Sequence, residues 1–416
     1  MVTRGSIQSK AGTFVRTTAL LAVTLILTSA AWAASERVIF SFGDTNGEYP
    51  DSDLVLDAAG NIYATAVSGG DHDSGAVVML SPSTQGWTET VLYSFRGASD
   101  GSEPYGGVTL DSAGNLYGTT VAGGTGGSCD GGCGVAFKLT RRNGTWYETV
   151  IHNFTGGADG TGPGAGLTID ARGNLYGMTP TGGAAGFGVI YKLTPAGGAW
   201  KETIIHTFTG SADGGGGSPG RLLLDRAGNF WGVATAGGQY GSGTAFELSP
   251  AGSSGWTYKT LYAFQGEPDA GFPYGALISD AAGNLYGTSY YDGANDLGSV
   301  FRLSRVNGVW TESVLYSFRG GSDGSSPISN LAFDAAGNLY GTTSEGGASS
   351  CGCGVIFKMT PGAGGQWTES VVYRFQGSPD AAFPYNGLLP AGGGVFFGTT
   401  VHGGDDDDGS IFRFKP

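Results

Sequence analysis

The stretch Asp-Ser-Ala-Gly-Asn-Leu-Tyr at residues 111–117 contains the pattern on which most of the chain is built. The pattern Asp-x-x-Gly-Asn, followed by an apolar residue and Tyr or Trp, recurs every 54 to 59 residues, and a degenerate seventh copy begins at Ala391. The six full copies begin at Asp57, Asp111, Asp170, Asp225, Asp280 and Asp334. This period predicts a repeat architecture, although 416 residues alone would suggest two or three domains.

Each repeat contains four short apolar runs, which we name a to d. In the second repeat they span residues 107–111, 115–120, 134–140 and 145–154. Runs of this length, rich in Val, Ile, Thr, Tyr and Phe and bounded by Gly, Asp and Asn, are typical of strands. The Asp-x-x-Gly-Asn between a and b suits a tight hairpin. Four strands per repeat predict the blades of an all-β propeller.

The two ends of the repeat region complement each other. The last repeat stops after its c strand at 409–414, and an isolated d-like strand, Glu-Arg-Val-Ile-Phe-Ser-Phe, stands at 36–42. We therefore predict a seven-bladed β-propeller with four antiparallel strands per blade. Its ring is closed by the N-terminal strand, which completes the last blade and removes two open sheet edges.

The composition excludes several classes of protein. Glycine supplies 80 residues, but only 16 prolines and 12% aromatic residues exclude collagen and argue against disorder. The formal net charge of −14 makes nucleic acid an unfavourable partner. Residues 1–33 combine three basic residues, a short apolar run and an Ala-x-Ala site, which predicts a cleaved signal peptide. The predicted domains are thus a signal peptide at 1–33 and one propeller at 34–416, with no membrane span after cleavage.

The phrases DSAGNLYGTT (111–120), GVAFKL (134–139), ETVLYSF (89–95) and FRGASDGSEP (95–104) resemble the GloVer tandem repeat. That family consists of extracytoplasmic bacterial proteins with varied C-terminal sorting anchors. The resemblance implies an exported protein but no agreed activity. Because the chain ends two residues after its last strand, without a sorting tail, we expect a secreted or periplasmic monomer.

The mouth of the propeller channel is the first candidate site. Residues beginning each innermost strand are mostly small, but some are polar, and tyrosines directly follow several loop prolines. Such groups suit a pocket in which tyrosines stack on a sugar. The predicted ligand-binding residues are Asp53, Arg221, Asn330, Asn386, Tyr105, Tyr274 and Tyr385. Hydrated loop ends and simple packing are the alternative.

The b–c loops of blades 1 and 7 are the second candidate, because ring closure makes them neighbours. They carry the predicted metal ligands Asp71, His72, Asp73, His402, Asp405, Asp406, Asp407 and Asp408. The excess of oxygen donors favours calcium, and a solvated acidic patch is the alternative. No cofactor is otherwise required.

The remaining motifs are interpreted as structural. The four cysteines predict two local disulfides, Cys129 with Cys133 and Cys351 with Cys353, since blades 2 and 6 are too far apart. His152 and His206 take the place of a d-strand tyrosine and are interpreted as tyrosine substitutes rather than ligands. Six glutamates on the outer strands are expected to prevent sheet-to-sheet aggregation; they are Glu36, Glu89, Glu148, Glu202, Glu312 and Glu369.

The sequence shows no catalytic motif and no acid–base pair along the innermost strands, so we name no catalytic residues. This favours a non-enzymatic exported protein that binds a glycan or envelope component. The binding loops would be the b–c and d–a loops, which share one face of a propeller, here called the top. The alternatives are a metal-dependent, lactonase-like hydrolase or lyase and a purely structural surface or adhesion module. Fold alone does not choose among them.

Overall fold

The computed structural model describes residues 1–2, 5, 34–127, 129–218, 220–252 and 255–416. The chain divides into two compact units, Met1–Ala33 and Ala34–Pro416. The predicted signal peptide lies outside the described residues except for residues 1, 2 and 5, so it stays a prediction. The described residues of the second unit are almost entirely β-strands and loops, and they include a short 3₁₀ turn at Ala363–Gly365.

The second unit is a seven-bladed propeller, as predicted, and each blade has four antiparallel strands in the order a, b, c, d. Blade 1 consists of β2 (Val55–Leu56), β3 (Ile62–Ala66), β4 (Ala76–Ser83) and β5 (Gly86–Ser94). Blade 2 consists of β6 (Val108–Leu110), β7 (Leu116–Thr120), β8 (Val135–Arg142) and β9 (Thr145–Asn153). Blade 3 consists of β10 (Thr168–Ile169), β11 (Leu175–Thr179), β12 (Val189–Ala196) and β13 (Ala199–Thr207). Blade 4 consists of β15 (Leu223–Leu224), β16 (Phe230–Ala236), β17 (Thr244–Pro250) and β18 (Trp256–Ala263). Blade 5 consists of β20 (Ile278–Ser279), β21 (Leu285–Asp292), β22 (Ser299–Val306) and β23 (Val309–Ser317). Blade 6 consists of β24 (Ala332–Phe333), β25 (Leu339–Thr343), β26 (Val355–Pro361) and β27 (Trp367–Arg374). Blade 7 consists of β29 (Leu389–Pro390), β30 (Phe396–Thr400), β32 (Ser410–Lys415) and β1 (Ser35–Ser41).

Short additional strands lie in the loops. The segments β14 (Gly215–Gly217) and β19 (Ala270–Pro273) pair antiparallel with the ends of the b strands of blades 4 and 5. In blade 7, β28 (Ala381–Ala382) pairs with β31 (His402–Gly403), which lies just after the b strand. Each therefore ties a d–a loop to the end of a b strand. The loop end of the ring, where the candidate sites lie, is thus held by main-chain hydrogen bonds.

The N-terminal strand closes the ring, which confirms the prediction from the chain ends. β1 pairs antiparallel with β32, with Glu36 opposite Phe414 and Arg37 opposite Arg413. At the next seam, the Thr399 hydroxyl donates to the Ser52 carbonyl oxygen over 3.1 Å. The last blade is therefore built from both ends of the repeat region.

The a–b hairpins are stabilised by their Asp and Asn side chains. In blade 2, Asp111 Oδ1 accepts the amides of Ala113 and Asn115, both over 2.9 Å, and Asp111 Oδ2 accepts the Asn115 side chain over 2.7 Å. Partial burial alone would raise the pKa of Asp111, but these hydrogen bonds outweigh it and lower the pKa. The same side-chain bonds occur at all six Asp-x-x-Gly-Asn turns.

The core lies between the blades. In the described part of the chain, seven clusters of buried apolar residues each combine side chains from two adjacent blades. A phenylalanine ending each d strand contributes, and its amide donates to the glycine carbonyl that precedes the c strand. These phenylalanines, each at most 1% exposed, are Phe42, Phe95, Phe154, Phe208, Phe264, Phe318 and Phe375. A blade thus buries its faces only against its neighbours.

The two ends of the ring differ in character. The d–a loops pair with the starts of the b–c loops, as at Ser102 and Ala122, and form the loop end. The a–b turns meet the c–d turns at the other end, where Gly60 lies next to Pro82. No helix in the described residues is long and apolar enough to span a bilayer.

Candidate functional site

A cavity of about 550 Å³ lies at the mouth of the channel. All seven d–a loops contribute to its wall through Asp51, Tyr105, Gly164, Ser218, Tyr274, Ile328 and Tyr385. Tyr105 and Tyr385 are 36% and 39% exposed, so their rings remain available to a ligand. Tyr290 extends the aromatic wall, with its ring centroid 5.8 Å from that of Tyr274. The cavity therefore combines several aromatic faces with a polar interior.

A polar bridge across the channel supports the floor of the cavity. Asp53 of blade 1 accepts a hydrogen bond from Arg221 Nε of blade 4 over 3.3 Å and another from Asn330 Nδ2 of blade 6 over 2.8 Å. The Asn330 side-chain oxygen in turn accepts the amide of Ala276. One carboxylate thereby connects three blades that are not neighbours in sequence.

Small residues allow the blades to approach this closely, as the sequence predicts. A Cβ atom on Gly106 would lie 2.7 Å from the backbone carbonyl of Ala165, and one on Gly107 would lie 2.7 Å from the backbone carbonyl oxygen of Asp53. The starts of the innermost strands thus pack backbone against backbone. Two members of the polar bridge, Asp53 and Asn330, line the cavity at the centre.

Asp51 is the most perturbed acid of the cavity. Burial raises its pKa to about 6, the hydrogen bond from Asn386 Nδ2 (2.7 Å) opposes this rise, and the charge of Asp53 adds to it. A carboxyl group with this pKa exchanges a proton near neutral pH. Asp53 and Glu345 are the other carboxylates among the residues that line the cavity.

Six of the seven residues predicted at the channel mouth line this cavity, and Arg221 holds Asp53 in place. Sequence reasoning did not select Asp51, Tyr290 or Glu345, which also line it. A signal for Asp51 was present, because it directly follows Pro50 just as Tyr105 follows its loop proline. That these residues bind a ligand stays a prediction.

Some of the predicted metal ligands make structural contacts of their own. Asp73 Oδ1 accepts the Gly69 amide over 3.2 Å, and Asp407 Oδ1 accepts the Gly403 amide over 2.8 Å. The ring of His402 packs edge-on against Tyr49, with 5.4 Å between centroids. These contacts give several of the eight residues a structural role.

One of the eight, Asp408, lies close to other carboxylates. Its carboxylate and those of Asp44 and Glu48 lie within 4.8 Å of one another beside a small surface cavity. Asp44 and Glu48 come from the d–a loop at the ring seam and were not among the predicted ligands. Calcium binding at the blade 1 and blade 7 loops stays a prediction.

The outer-strand glutamates are not simple surface charges. Four of them, Glu36, Glu148, Glu202 and Glu369, interact with an aspartate in the d–a loop of the preceding blade. The Oε1 atoms of all six are buried without a hydrogen-bond partner in the described residues. Burial and then the Asp100 charge raise the pKa of Glu148 to about 7, and burial and then the Asp323 charge raise that of Glu369 to about 7. Because these carboxyl groups lie between blades, the expected role in blocking aggregation does not describe their surroundings.

The histidines do occupy tyrosine positions. In blade 6, Tyr373 donates to Asp380 over 2.9 Å, and in blade 3 His206 Nε2 lies 3.0 Å from Asp213 Oδ2. The His152 Nε2 atom is farther from its partner Asp159, at 3.5 Å. Burial lowers the pKa of both histidines although the adjacent aspartates oppose this.

Both predicted disulfides are present. Cys129 is bonded to Cys133 and Cys351 to Cys353, each pair with 5.2 Å between Cα atoms. Such bonds fit an oxidising compartment.

Comparison with known proteins shows the fold and the repeat. The solved structure of an ancestral GH74 enzyme is similar, with a TM-score of 0.55 and 10% identity over 89% of this chain and 48% of that chain. A gluconolactonase from Xanthomonas campestris has a TM-score of 0.41 and 14% identity over 82% of this chain and 89% of its own. A protein of unknown function from Dyadobacter fermentans has a TM-score of 0.46 and 11% identity over 91% and 96% of the two chains. At such identities the likeness concerns fold alone.

The sequence itself places the chain in a family. No curated protein matches it significantly. The family model of the Gloeobacter/Verrucomicrobia repeat matches residues 3–219, 126–353 and 218–416, which together span nearly the whole chain. This agrees with the resemblance seen in the repeated phrases. The chain belongs to the Gloeobacter/Verrucomicrobia repeat family.

Proposed function

We propose that this protein is exported and binds an uncharged saccharide in the cavity at the channel mouth. The observation that carries the proposal is the arrangement of Tyr105, Tyr274 and Tyr385 around a hydrogen-bonding interior. Tyrosine faces stack on the apolar faces of sugar rings, and carboxylates and amides hydrogen-bond to their hydroxyl groups. Export is supported by the basic and apolar N-terminal segment, the two disulfides and the family.

The charge of the cavity favours a neutral ligand over an anionic one. Arg221 is the cation of the channel floor, and it is already paired with Asp53. Asp51 and Glu345 also line the wall, so an anion would meet carboxylates without a free cation among the lining residues. The cavity volume of about 550 Å³ is within the range of small-ligand sites, about 300–1,000 Å³.

Binding is tested by calorimetric titration with a panel of neutral disaccharides such as cellobiose, maltose, xylobiose and chitobiose. Tyr385→Ala removes a stacking face and should weaken binding about tenfold, which corresponds to about 1.4 kcal/mol. Tyr147→Ala is the matched control, because Tyr147 is an exposed tyrosine on outer strand β9. No binding by any sugar, or equal losses in the two variants, would contradict the proposal.

Asp51 favours a second candidate function, the hydrolysis of a bound saccharide. Its pKa of about 6 suits a group that gives and takes a proton near neutral pH, and Asp53 is the second carboxylate of the same cavity. Turnover of a chromogenic aryl glycoside is the assay. Asp51→Asn should abolish turnover and retain sugar binding. Binding without turnover in the unaltered protein would contradict hydrolysis and leave saccharide binding as the only proposed function.

A further inference from the structure

We propose that His152, Asp159 and Glu202 form a divalent transition-metal site, best suited to zinc, that joins the outer edges of blades 2 and 3. His152 lies on β9 of blade 2, Asp159 in the loop that follows β9, and Glu202 on β13 of blade 3. One donor atom from each residue lies within 4.8 Å of the other two. The site is separate from the cavity and does not depend on the proposed sugar binding.

The spacing of the donor atoms suits a metal better than hydrogen bonds. His152 Nε2 lies 3.5 Å from Asp159 Oδ2 and 3.6 Å from Glu202 Oε1. A point equidistant from three atoms spaced in this way lies about 2.0–2.4 Å from each, and zinc binds imidazole nitrogen and carboxylate oxygen at about 2.0–2.2 Å. The three atoms therefore define one face of a coordination shell.

Two of the donor atoms form no hydrogen bond within the described structure, although they lie within ion-pair distance of each other. His152 Nε2 and Glu202 Oε1 are both buried and accept or donate no hydrogen bond there. Burying such atoms without a hydrogen bond is unfavourable. A cation between them would satisfy both. The side chains are 20% and 18% exposed, so the pair lies close to the surface from which an ion would enter.

Asp159 is the fixed member of the site. It is only 8% exposed, its Oδ2 accepts the Thr155 amide over 2.8 Å, and its Oδ1 accepts the Thr155 hydroxyl. Such hydrogen bonds orient a carboxylate toward a metal and are a regular feature of metal sites. Three protein ligands would leave a further coordination position for water.

The other repeats show how this site differs from a structural contact. At the next interface, Tyr258 stands where Glu202 stands and stacks on His206, with ring centroids 3.8 Å apart. His206 is also within hydrogen-bonding distance of Asp213. In blade 6 a tyrosine hydroxyl takes the place of the imidazole. Only between blades 2 and 3, in the described chain, do an imidazole and two carboxylates meet.

The test titrates metal-free protein with Zn²⁺ by calorimetry and with Co²⁺ by visible absorption. The titrations use a His72→Ala/His402→Ala background, because these two exposed histidines are the remaining ones of the chain's four. We expect one Zn²⁺ per chain and a Co²⁺ spectrum typical of nitrogen and oxygen ligation. His152→Tyr, which installs the tyrosine that blades 1, 4, 5 and 6 have at this position, and Glu202→Gln should each weaken binding at least about tenfold.

His206→Tyr is the matched control, because it makes the same exchange at the interface without a second carboxylate. It should leave Zn²⁺ affinity and stoichiometry unchanged. The proposal is overturned if the background protein binds no Zn²⁺, if His152→Tyr and Glu202→Gln bind it as tightly as the background, or if His206→Tyr weakens binding as much as His152→Tyr. Thermal denaturation of each variant without metal verifies that the folded state is retained.

Discussion

Glu36 makes the closure of the ring sensitive to alkaline pH. Its carboxyl group, on β1, lies against the Asp380 loop of blade 6, and burial followed by the charge of Asp380 raises its pKa from 4.5 to about 8. Because the folded state holds this proton more tightly than the unfolded state, the stabilising contribution is complete below pH 4.5. It is lost as the pH rises through 8.

The size of the effect follows from the pKa. A rise from 4.5 to about 8 corresponds to about 5 kcal/mol above pH 8, and solvent screening of a partly exposed group reduces this to roughly 2 kcal/mol. For a propeller of this length, that is about 2–3 °C in Tm. Glu36→Gln removes the charge but keeps the shape. We expect it to raise Tm by about this amount at pH 9 and by only about a third of it at pH 5.5, because the loss begins at the unfolded-state pKa of 4.5.

Calorimetric melting at pH 5.5, 7 and 9 measures this effect. Glu89→Gln is the matched control, since Glu89 occupies the same strand position in blade 1, and burial alone raises its pKa. The preceding repeat has Phe40 where the other repeats have tyrosine or histidine, and Asn46 where they have aspartate. Glu89→Gln should therefore gain less at pH 9. Equal gains in the two variants, or no gain for Glu36→Gln, would refute the role assigned to the facing aspartate.

Three further substitutions test the repeat architecture by urea unfolding. Asp111→Ala removes the hydrogen bonds of an a–b turn and should cost about 1–3 kcal/mol; an unchanged midpoint would show that the turn does not need them. Gly243→Ala places a Cβ 2.7 Å from the Pro273 ring of the next blade at a φ of +95°. It should lower the free energy of unfolding more than Gly241→Ala, where φ is +85° and no atom lies within 4 Å of the added Cβ. Equal losses in the two variants would mean that backbone strain alone matters. Thr65→Val removes a 2.6 Å hydrogen bond to the neighbouring blade and should cost about 1 kcal/mol, whereas no loss would remove this contact from the stability of the interface.

The sequence predicted those features that repeat. The period, the four strands, the Asp-x-x-Gly-Asn turns and the closure by residues 36–42 all follow from comparing seven copies of one pattern, and the structure confirms them. Contacts between copies were harder to predict. Glu202 was assigned to the surface and His152 to simple replacement of tyrosine, because the sequence does not show that the outer strand of one blade faces the loop of the blade before it.

The candidate site was predictable where it departs from the repeat. At the start of the innermost strands, glycine or alanine stands in four copies because the backbones converge there, whereas Asp53, Arg221 and Asn330 stand in the other three. Those three copies belong to blades 1, 4 and 6, far apart in sequence, yet their side chains form one hydrogen-bonded bridge. Because the equivalent positions of all copies surround one axis, larger polar residues that replace glycine or alanine there meet at that axis. Packing between blades explains the small residues, but it does not require a carboxylate, a guanidinium and an amide to meet beneath a cavity with tyrosines in its wall. That convergence is the physical reason for our proposal that a ligand binds at the channel mouth.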